Sequence, residues 1–219
     1  MNVIVKAVTR PVDEEMSVDE FVAYVARVSN PSNQTNHLTA TKLLKYLAKN
    51  KHWSPFEMVN VVMEINTTRD IARQILRHRS FFFQEFSQRY ADPTGDLGFS
   101  HKELRLQDNK NRQNSIEVSD TILSLAWEGT QNDIIHTARE AYDWALKNGI
   151  AKEQARAVLP EGLTNSRLYM NGTLRSWVHY CQLRMANGTQ KEHREIAIDA
   201  WYQITEIFPS LKDTLDIGN

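Results

Sequence analysis

The longest regular pattern in the chain is helical, and it weights the whole fold toward helix. From Ser119 to Asn148, Ile122, Leu125, Ala126, Ile134, Ile135, Ala138, Ala141, Tyr142 and Ala145 recur at the spacing of a helix face. Asn148-Gly149 supplies the stop, because glycine readily takes the left-handed conformation that ends a helix. Shorter patterns of the same kind lie on either side. Val18, Phe21, Val22, Val25 and Ala26 follow Ser17, an N-cap whose capping box is completed by Glu20, and break off at Asn30-Pro31. Leu38, Leu43, Leu44 and Leu47 share one side of a second helix. Ile71, Ala72, Ile75 and Leu76 do so in a third, capped by Thr67 or Thr68, with Asp70 in the first turn where the dipole favours an acid. Two more span roughly Thr173–Ala186 and Gln190–Phe208, and Pro209 halts the last.

Three stretches read as strand. Asn2–Thr9 is rich in Val and Ile and is closed by Pro11; Met58–Ile65 is β-branched and loosely alternating; Leu163–Asn171 is short and ended by Asn171-Gly172. Asp92–Asn114 is polar, contains Pro93 and Gly95, and reads as a long excursion of the kind that forms lids or binding loops. With no internal repeat or linker, the expectation is one α+β domain over residues 1–219, heavy in helix.

Composition narrows the function. At 219 residues a chain buries enough apolar surface to fold without disulfides or structural metal. Its single cysteine, Cys181, excludes an intrachain disulfide and a Cys-rich zinc site, and fits a reducing, cytoplasmic setting. No metal site is expected. The apolar run at the start is too short for a signal-peptide core, and no stretch reaches membrane-span length, so no membrane association is expected. The 26 basic and 27 acidic residues nearly cancel, whereas a non-specific nucleic-acid binder carries a basic excess. Any anion site must come from local clustering of arginine.

That clustering lies between Arg69 and Arg89, where five arginines face two acids, Asp70 and Glu85. Arg73 and Arg77 are four apart and share a helix face. Arg77, His78 and Arg79 come at the helix end and offer donors in several directions. Glu85, Ser87 and Arg89 alternate, so an extended segment points them to one side. A guanidinium matches phosphate oxygens bidentately, and serine adds a donor. The bland reading is a solvated basic helix face. Phe81-Phe82-Phe83 then reads as core or subunit interface, and His78 as structural.

The spacing adds specificity. Arg77-His78-Arg79, seven residues, Ser87 and then Arg89 resembles the signature of the flavin-dependent thymidylate synthases. Three further stretches match in order. His52-Trp53-Ser54-Pro55-Phe56-Glu57 is similar to the family's His-x-Thr/Ser-Pro-Phe-Glu, and Ala155-Arg156-Ala157-Val158-Leu159-Pro160 to its Ala-Arg-x-x-Leu-Pro. Leu174-Arg175-Ser176, His179, Leu183-Arg184 and Gln190-Lys191-Glu192 resemble its C-terminal helices. The resemblance runs from about His52 to Ile196, and weakly into the N-terminal strand and helix.

The resemblance implies an α+β, helix-rich single domain with a small antiparallel sheet, assembled as a homotetramer. It implies conversion of dUMP to dTMP with FAD as hydride carrier, methylenetetrahydrofolate as carbon donor and NADPH as reductant. Ser54, Arg77, His78, Arg79, Glu85, Thr173, Arg175 and His179 would contact FAD. Gln74, Arg77, Glu85, Phe86, Ser87, Gln88, Arg89, Arg156 and Arg184 would form the dUMP site, shared between subunits. Arg184 would be catalytic, stabilising negative charge on the pyrimidine. His52 would lie in the folate and nicotinamide region. Where relatives carry a small residue this chain has Gln88, and where some carry Asn it has His179. Asn171 is not counted among the expected contacts.

Taken singly, Arg156, Arg175 and Arg184 would be solvated surface and His179 a packing histidine; their joint appearance raises each. Cys181 sits inside a helical run without the proline of a classical synthase nucleophile and is placed in the core. Ser87 lacks an adjacent general base, so phosphate holding accounts for it. No GxGxxG is present, so no Rossmann nicotinamide site is expected. Two other readings stand beside the enzyme: a helical nucleic-acid module built on Arg69–Arg89, and a nucleotide-binding relative without activity.

Overall fold

A computed structural model of the chain describes residues 1–12 and 15–215. In chain order the elements are β1 (Asn2–Val8), α1 (Val18–Ala26), α2 (Ala40–Lys49), β2 (Asn60–Thr68), α3 (Arg69–Ile75), β3 (Phe82–Glu85) and α4 (Pro93–Asp96). They continue with β4 (Arg105–Gln107), β5 (Ser115–Glu117), α5 (Thr121–Lys147), α6 (Lys152–Ala155), β6 (Asn165–Thr173), α7 (Leu174–Arg184) and α8 (Lys191–Ile207). The main sheet is antiparallel with strand order β1-β2-β6-β3, and β4 and β5 form a separate hairpin. The expected α+β character and small antiparallel sheet are both present. No described helix is long and apolar enough to cross a membrane.

The sheet's core face is set by alternation. Val61, Met63 and Ile65 on β2 and Leu168 and Met170 on β6 are fully buried, and β2 pairs with β6 from Asn60↔Thr173 to Thr68↔Asn165. Trp177 of α7 and Trp201 of α8 are fully buried in the same core, and the Trp177 indole N–H donates to the carbonyl of Val61 over 3.0 Å. That bond satisfies a polar atom whose burial would otherwise be costly, and it pins α7 to β2. At the other end of the chain, Ser17 and Glu20 form the reciprocal capping box that starts α1.

The structure refines four sequence readings. Leu38 is fully exposed, because α2 begins only at Ala40 and Leu38 sits in the preceding 3-10 turn His37–Thr39. The excursion over Asp92–Asn114 is not structureless: it holds α4, β4 and a bridge from Phe99 to Thr164. The long helix forms and stops at Asn148, with Gly149 at φ 76°, but much of its apolar stripe stays in solvent, Ile122 at 84 % and Leu125 at 64 % exposure.

The fourth concerns Gly172. Asn171-Gly172 does not end the strand; β6 runs through it to Thr173. A Cβ on Gly172 would stand 2.4 Å from the ring of Phe81. This glycine is a place of close approach, where an aromatic ring lies flush on the strand backbone.

Candidate functional site

Helix α7 is the spine of the site. At its N-terminus Thr173 is the cap, its hydroxyl accepting from the Ser176 N–H at 3.1 Å and lying 3.0 Å from Ser176 Oγ. Within the first turn, Arg175 donates to Glu57 at 2.5 Å, which ties α7 to the 3-10 turn Ser54–Met58. His179 stands edge-on to Trp53, ring centres 5.5 Å apart. Ser54, Arg175 and His179, expected together, are thus carried on two neighbouring segments joined by these contacts. Burial, then the Arg175 charge, lowers the pKa of His179. Ser54 and His52 are exposed; the His52 ring meets Tyr46 edge-on at 6.3 Å.

At its C-terminus α7 presents Arg184. Its Nε donates to Nε2 of His78 at 2.9 Å, so the His78 proton resides on Nδ1. Helix α3 ends at Ile75, and the chain turns through Gln74–His78 with Arg77 N–H to Gln74 O and His78 N–H to Ile75 O. Phe81 anchors this turn: it is buried against Gly172, with its ring 4.9 Å from Trp177 and 5.8 Å from Tyr180. Phe82 is 78 % exposed and Phe83 only partly buried. Burial, then the Arg184 and Arg77 charges, brings the pKa of His78 down to about 4. The acceptor that holds Arg184 is therefore neutral. No carboxylate forms an ion pair with Arg184 among the described residues, so its charge is left uncompensated.

A third layer lies behind, and sequence reasoning missed it. His193 of α8 is fully buried, with Nε2 3.1 Å from the Tyr180 hydroxyl and Nδ1 3.4 Å from Gln74 Oε1. Gln74 in turn donates to Gln190 at 2.7 Å. The signal existed: His193 falls at helical spacing with the buried Ile196, Ala197 and Ala200, a polar residue on an apolar face. Asn171 stands outside the expected contacts. Its Oδ1 is buried without a partner among the described residues.

The remaining expected residues form another group. Glu85 is bound by Arg73 and by Ser166 Oγ at 2.8 Å, with Arg69 at 3.8 Å. Ser87 and Arg89 do not lie on an extended segment as their alternation suggests. β3 ends at Glu85, and the chain makes a turn with Tyr90 N–H to Ser87 O. Phe86 donates its N–H to Arg167 O at 2.8 Å. Arg89 pairs with Glu153 at 3.2 Å, and Arg156 Nε donates to the Glu153 carbonyl at 3.2 Å. The side chain of Gln88 is buried beside Arg156 and Arg69 in a cleft of about 270 Å³, its Nε2 without a partner among the described residues.

The chain thus brings Gln74, His78 and Arg184 together, and separately Ser87, Gln88, Arg89 and Arg156. Among the described residues no hydrogen bond or ion pair joins the two groups. Arg77 and Arg79 are exposed and carry no ion pair among the described residues. Cys181 is fully buried, and burial pushes its thiol pKa far up, which leaves no thiolate for nucleophilic attack.

Comparison with known proteins identifies the family. The family described as thymidylate synthase complementing protein matches residues 12–210. A probable flavin-dependent thymidylate synthase of Paramecium bursaria Chlorella virus 1 is 46 % identical over 211 residues, covering 96 % of each chain. The flavin-dependent thymidylate synthase of Synechocystis sp. is 45 % identical over 203 residues, covering 93 % of this chain and 92 % of that protein. Among solved structures, a UMP/dUMP methylase PolB from Streptomyces cacaoi, bound with 5-Br dUMP, superposes with a TM-score of 0.78. It is 24 % identical and covers 97 % of this chain and 93 % of that one, a likeness of fold.

Proposed function

The chain belongs to the thymidylate synthase complementing protein family, the flavin-dependent thymidylate synthases, and on that premise we propose that it reductively methylates dUMP to dTMP. Methylenetetrahydrofolate is the carbon donor, NADPH the reductant and FAD the hydride carrier. The observation that carries this reading is Arg184: a guanidinium fixed by a neutral imidazole, with its charge unspent, on the same cluster as Gln74.

The residues present suit an anionic cofactor. Arg77 and Arg79 have no counter-ion among the described residues, and the buried Asn171 amide oxygen, without a partner among them, is open to an N–H donor of the cofactor. Arg77, His78, Arg79, Ser54, Glu85, Arg175 and His179 would hold FAD. Thr173 is less suited than expected, since its hydroxyl already caps α7; we assign Asn171 in its place. Bound there, FAD supplies the hydride that leaves the added carbon as a methyl.

Arg184, placed against the pyrimidine, stabilises negative charge at N3 and its neighbouring oxygens as C5 becomes nucleophilic. A preorganised charge in a water-poor site does this without reorganisation. Gln74 fixes the nucleotide's orientation. Ser87, Arg89 and Arg156 bind the 5′-phosphate, with Gln88 lending its buried amide. Since no hydrogen bond or ion pair joins the phosphate-binding residues to the Arg184 group among the described residues, we assign the complete site to the junction between subunits of a homotetramer. The exposed apolar stripe of α5, with Ile122, Leu125 and Trp144 in solvent, supports self-association. His52 takes part in folate or nicotinamide binding, and the enzyme acts in the cytoplasm.

Purified protein given dUMP, methylenetetrahydrofolate, NADPH and FAD should form dTMP, and omission of FAD after its removal should stop it. No dTMP from the complete mixture would contradict the proposal.

A further inference from the structure

We infer that His193, buried behind the site, is a positioning residue that locks the carboxamide of Gln74 so that it presents an N–H to an oxygen of the nucleotide. This rests on the reading of Gln74 as a nucleotide contact. The argument is one of hydrogen-bond direction. Tyr180, His193, Gln74 and Gln190 form a chain of contacts at 3.1, 3.4 and 2.7 Å. Each inner member must donate at one end and accept at the other.

Two directions are possible for such a chain. In the first, the Tyr180 hydroxyl donates to His193 Nε2, His193 Nδ1–H donates to Gln74 Oε1, and the Gln74 amide donates to Gln190. In the reverse, every donor becomes an acceptor, and the Tyr180 proton has no acceptor among the described residues. Tyr180 is almost wholly buried, and burial raises its pKa, so the hydroxyl keeps its proton and needs that acceptor. The first direction satisfies every group. It leaves Gln74 with its Oε1 turned inward and one amide N–H free.

His193 must be neutral for this to hold, because an imidazolium would offer Tyr180 a second donor in place of an acceptor. The groups facing it are Tyr180, His78 and Arg184; burial and the Arg184 charge bring its pKa down to about 3. His78 and His193 thus stand as two neutral imidazoles behind one uncompensated guanidinium, the first holding Arg184 and the second holding Gln74.

The test compares His193→Phe, which keeps a ring but loses both hydrogen bonds, with His193→Gln, which keeps a donor and an acceptor. The loss of a fixed N–H should raise the dUMP KM about tenfold in His193→Phe while kcat stays within about threefold. Flavin content and the NADPH KM should be unchanged, and His193→Gln should recover most of the dUMP KM. A dUMP KM within about twofold of wild type in a flavin-loaded His193→Phe protein overturns the inference. Should that variant not accumulate, Tyr180→Phe, which removes the hydroxyl that fixes the tautomer, should raise the same KM several-fold. Independently of activity, imidazole nitrogen chemical shifts of the wild type at neutral pH should show His193 as the Nδ1–H tautomer. An Nε2–H tautomer overturns the inference even if dTMP is formed; absence of dTMP formation with the Nδ1–H tautomer present counts instead against the function.

Discussion

Arg184 and His78 lie 106 residues apart in sequence and are joined by a 2.9 Å hydrogen bond from guanidinium Nε to imidazole Nε2. The acceptor is neutral, so the bond fixes the arginine's direction without cancelling its charge. An aspartate in the same place would orient the side chain equally well but would neutralise the charge the pyrimidine needs. The site depends on that distinction.

Removing the charge should therefore abolish chemistry without unfolding the chain. Arg184→Ala is expected to lower kcat/KM for dUMP by roughly 10²–10³, the usual loss when a preorganised electrostatic donor is deleted. Flavin absorbance and thermal stability should stay near wild type. Arg184→Lys should recover little, because a lysine has no Nε–H fork to be held by His78. Steady-state dTMP formation measures both.

The histidines of the site make stability depend on pH in a defined window. His78 and His193 have folded pKa values of about 4 and about 3, below the ordinary value of 6.5, and His179 is shifted the same way. The unfolded chain thus takes up more protons than the folded one below pH 6.5. The contribution of neutral burial is complete above that pH and is lost progressively as pH falls toward 4. Urea midpoints should decline between pH 7.5 and 5, a range above the titration of most carboxylates, with the slope reduced in His193→Gln; the two buffer values, about 7.5 and about 5, bracket the free histidine pKa.

Gly172→Ala should destabilise the fold by about 1–3 kcal/mol, the range for forcing extra volume into a packed site. The added methyl meets the Phe81 ring at 2.4 Å, and that ring is itself wedged against Trp177 and Tyr180. Because Phe81 anchors the His78 turn, dUMP turnover should fall in the same variant. Denaturant unfolding and the dTMP assay on one preparation give both readings.

Much of this was legible from spacing. The capping box at Ser17, the stop at Asn148-Gly149, and the helices carrying Arg175 and Arg184 all depend on local chemistry, and they form where local chemistry places them. What misled was local chemistry overruled at a distance. Asn171-Gly172 reads as a turn, yet the glycine serves the ring of Phe81, which is distant in sequence. Ser87 and Arg89 alternate like strand residues, but pairing with β6 gives out after the Phe86 N–H to Arg167 O bond and the chain turns at Ser87. His193 escaped notice because a lone histidine on an apolar helix face ordinarily packs; Tyr180 on the preceding helix and Gln74, 119 residues away, give it direction.

The phosphate group can be separated from the chemistry. Arg89 now pairs with Glu153, an exposed contact that contributes little to stability. Arg89→Ala should raise the dUMP KM roughly 10- to 100-fold, as expected for loss of a charge-assisted contact, and weaken its salt dependence. Glu153→Gln should lower the KM or leave it unchanged, since it releases Arg89. Initial rates over a salt series distinguish the two.

An absorbance spectrum of the purified protein, taken without oxygen before and after NADPH and dUMP are added, tests the central claim most directly. An oxidised flavin band that bleaches on NADPH addition, in a manner dependent on dUMP, is the expected result. A protein that carries no flavin and takes up none when FAD is supplied would contradict it.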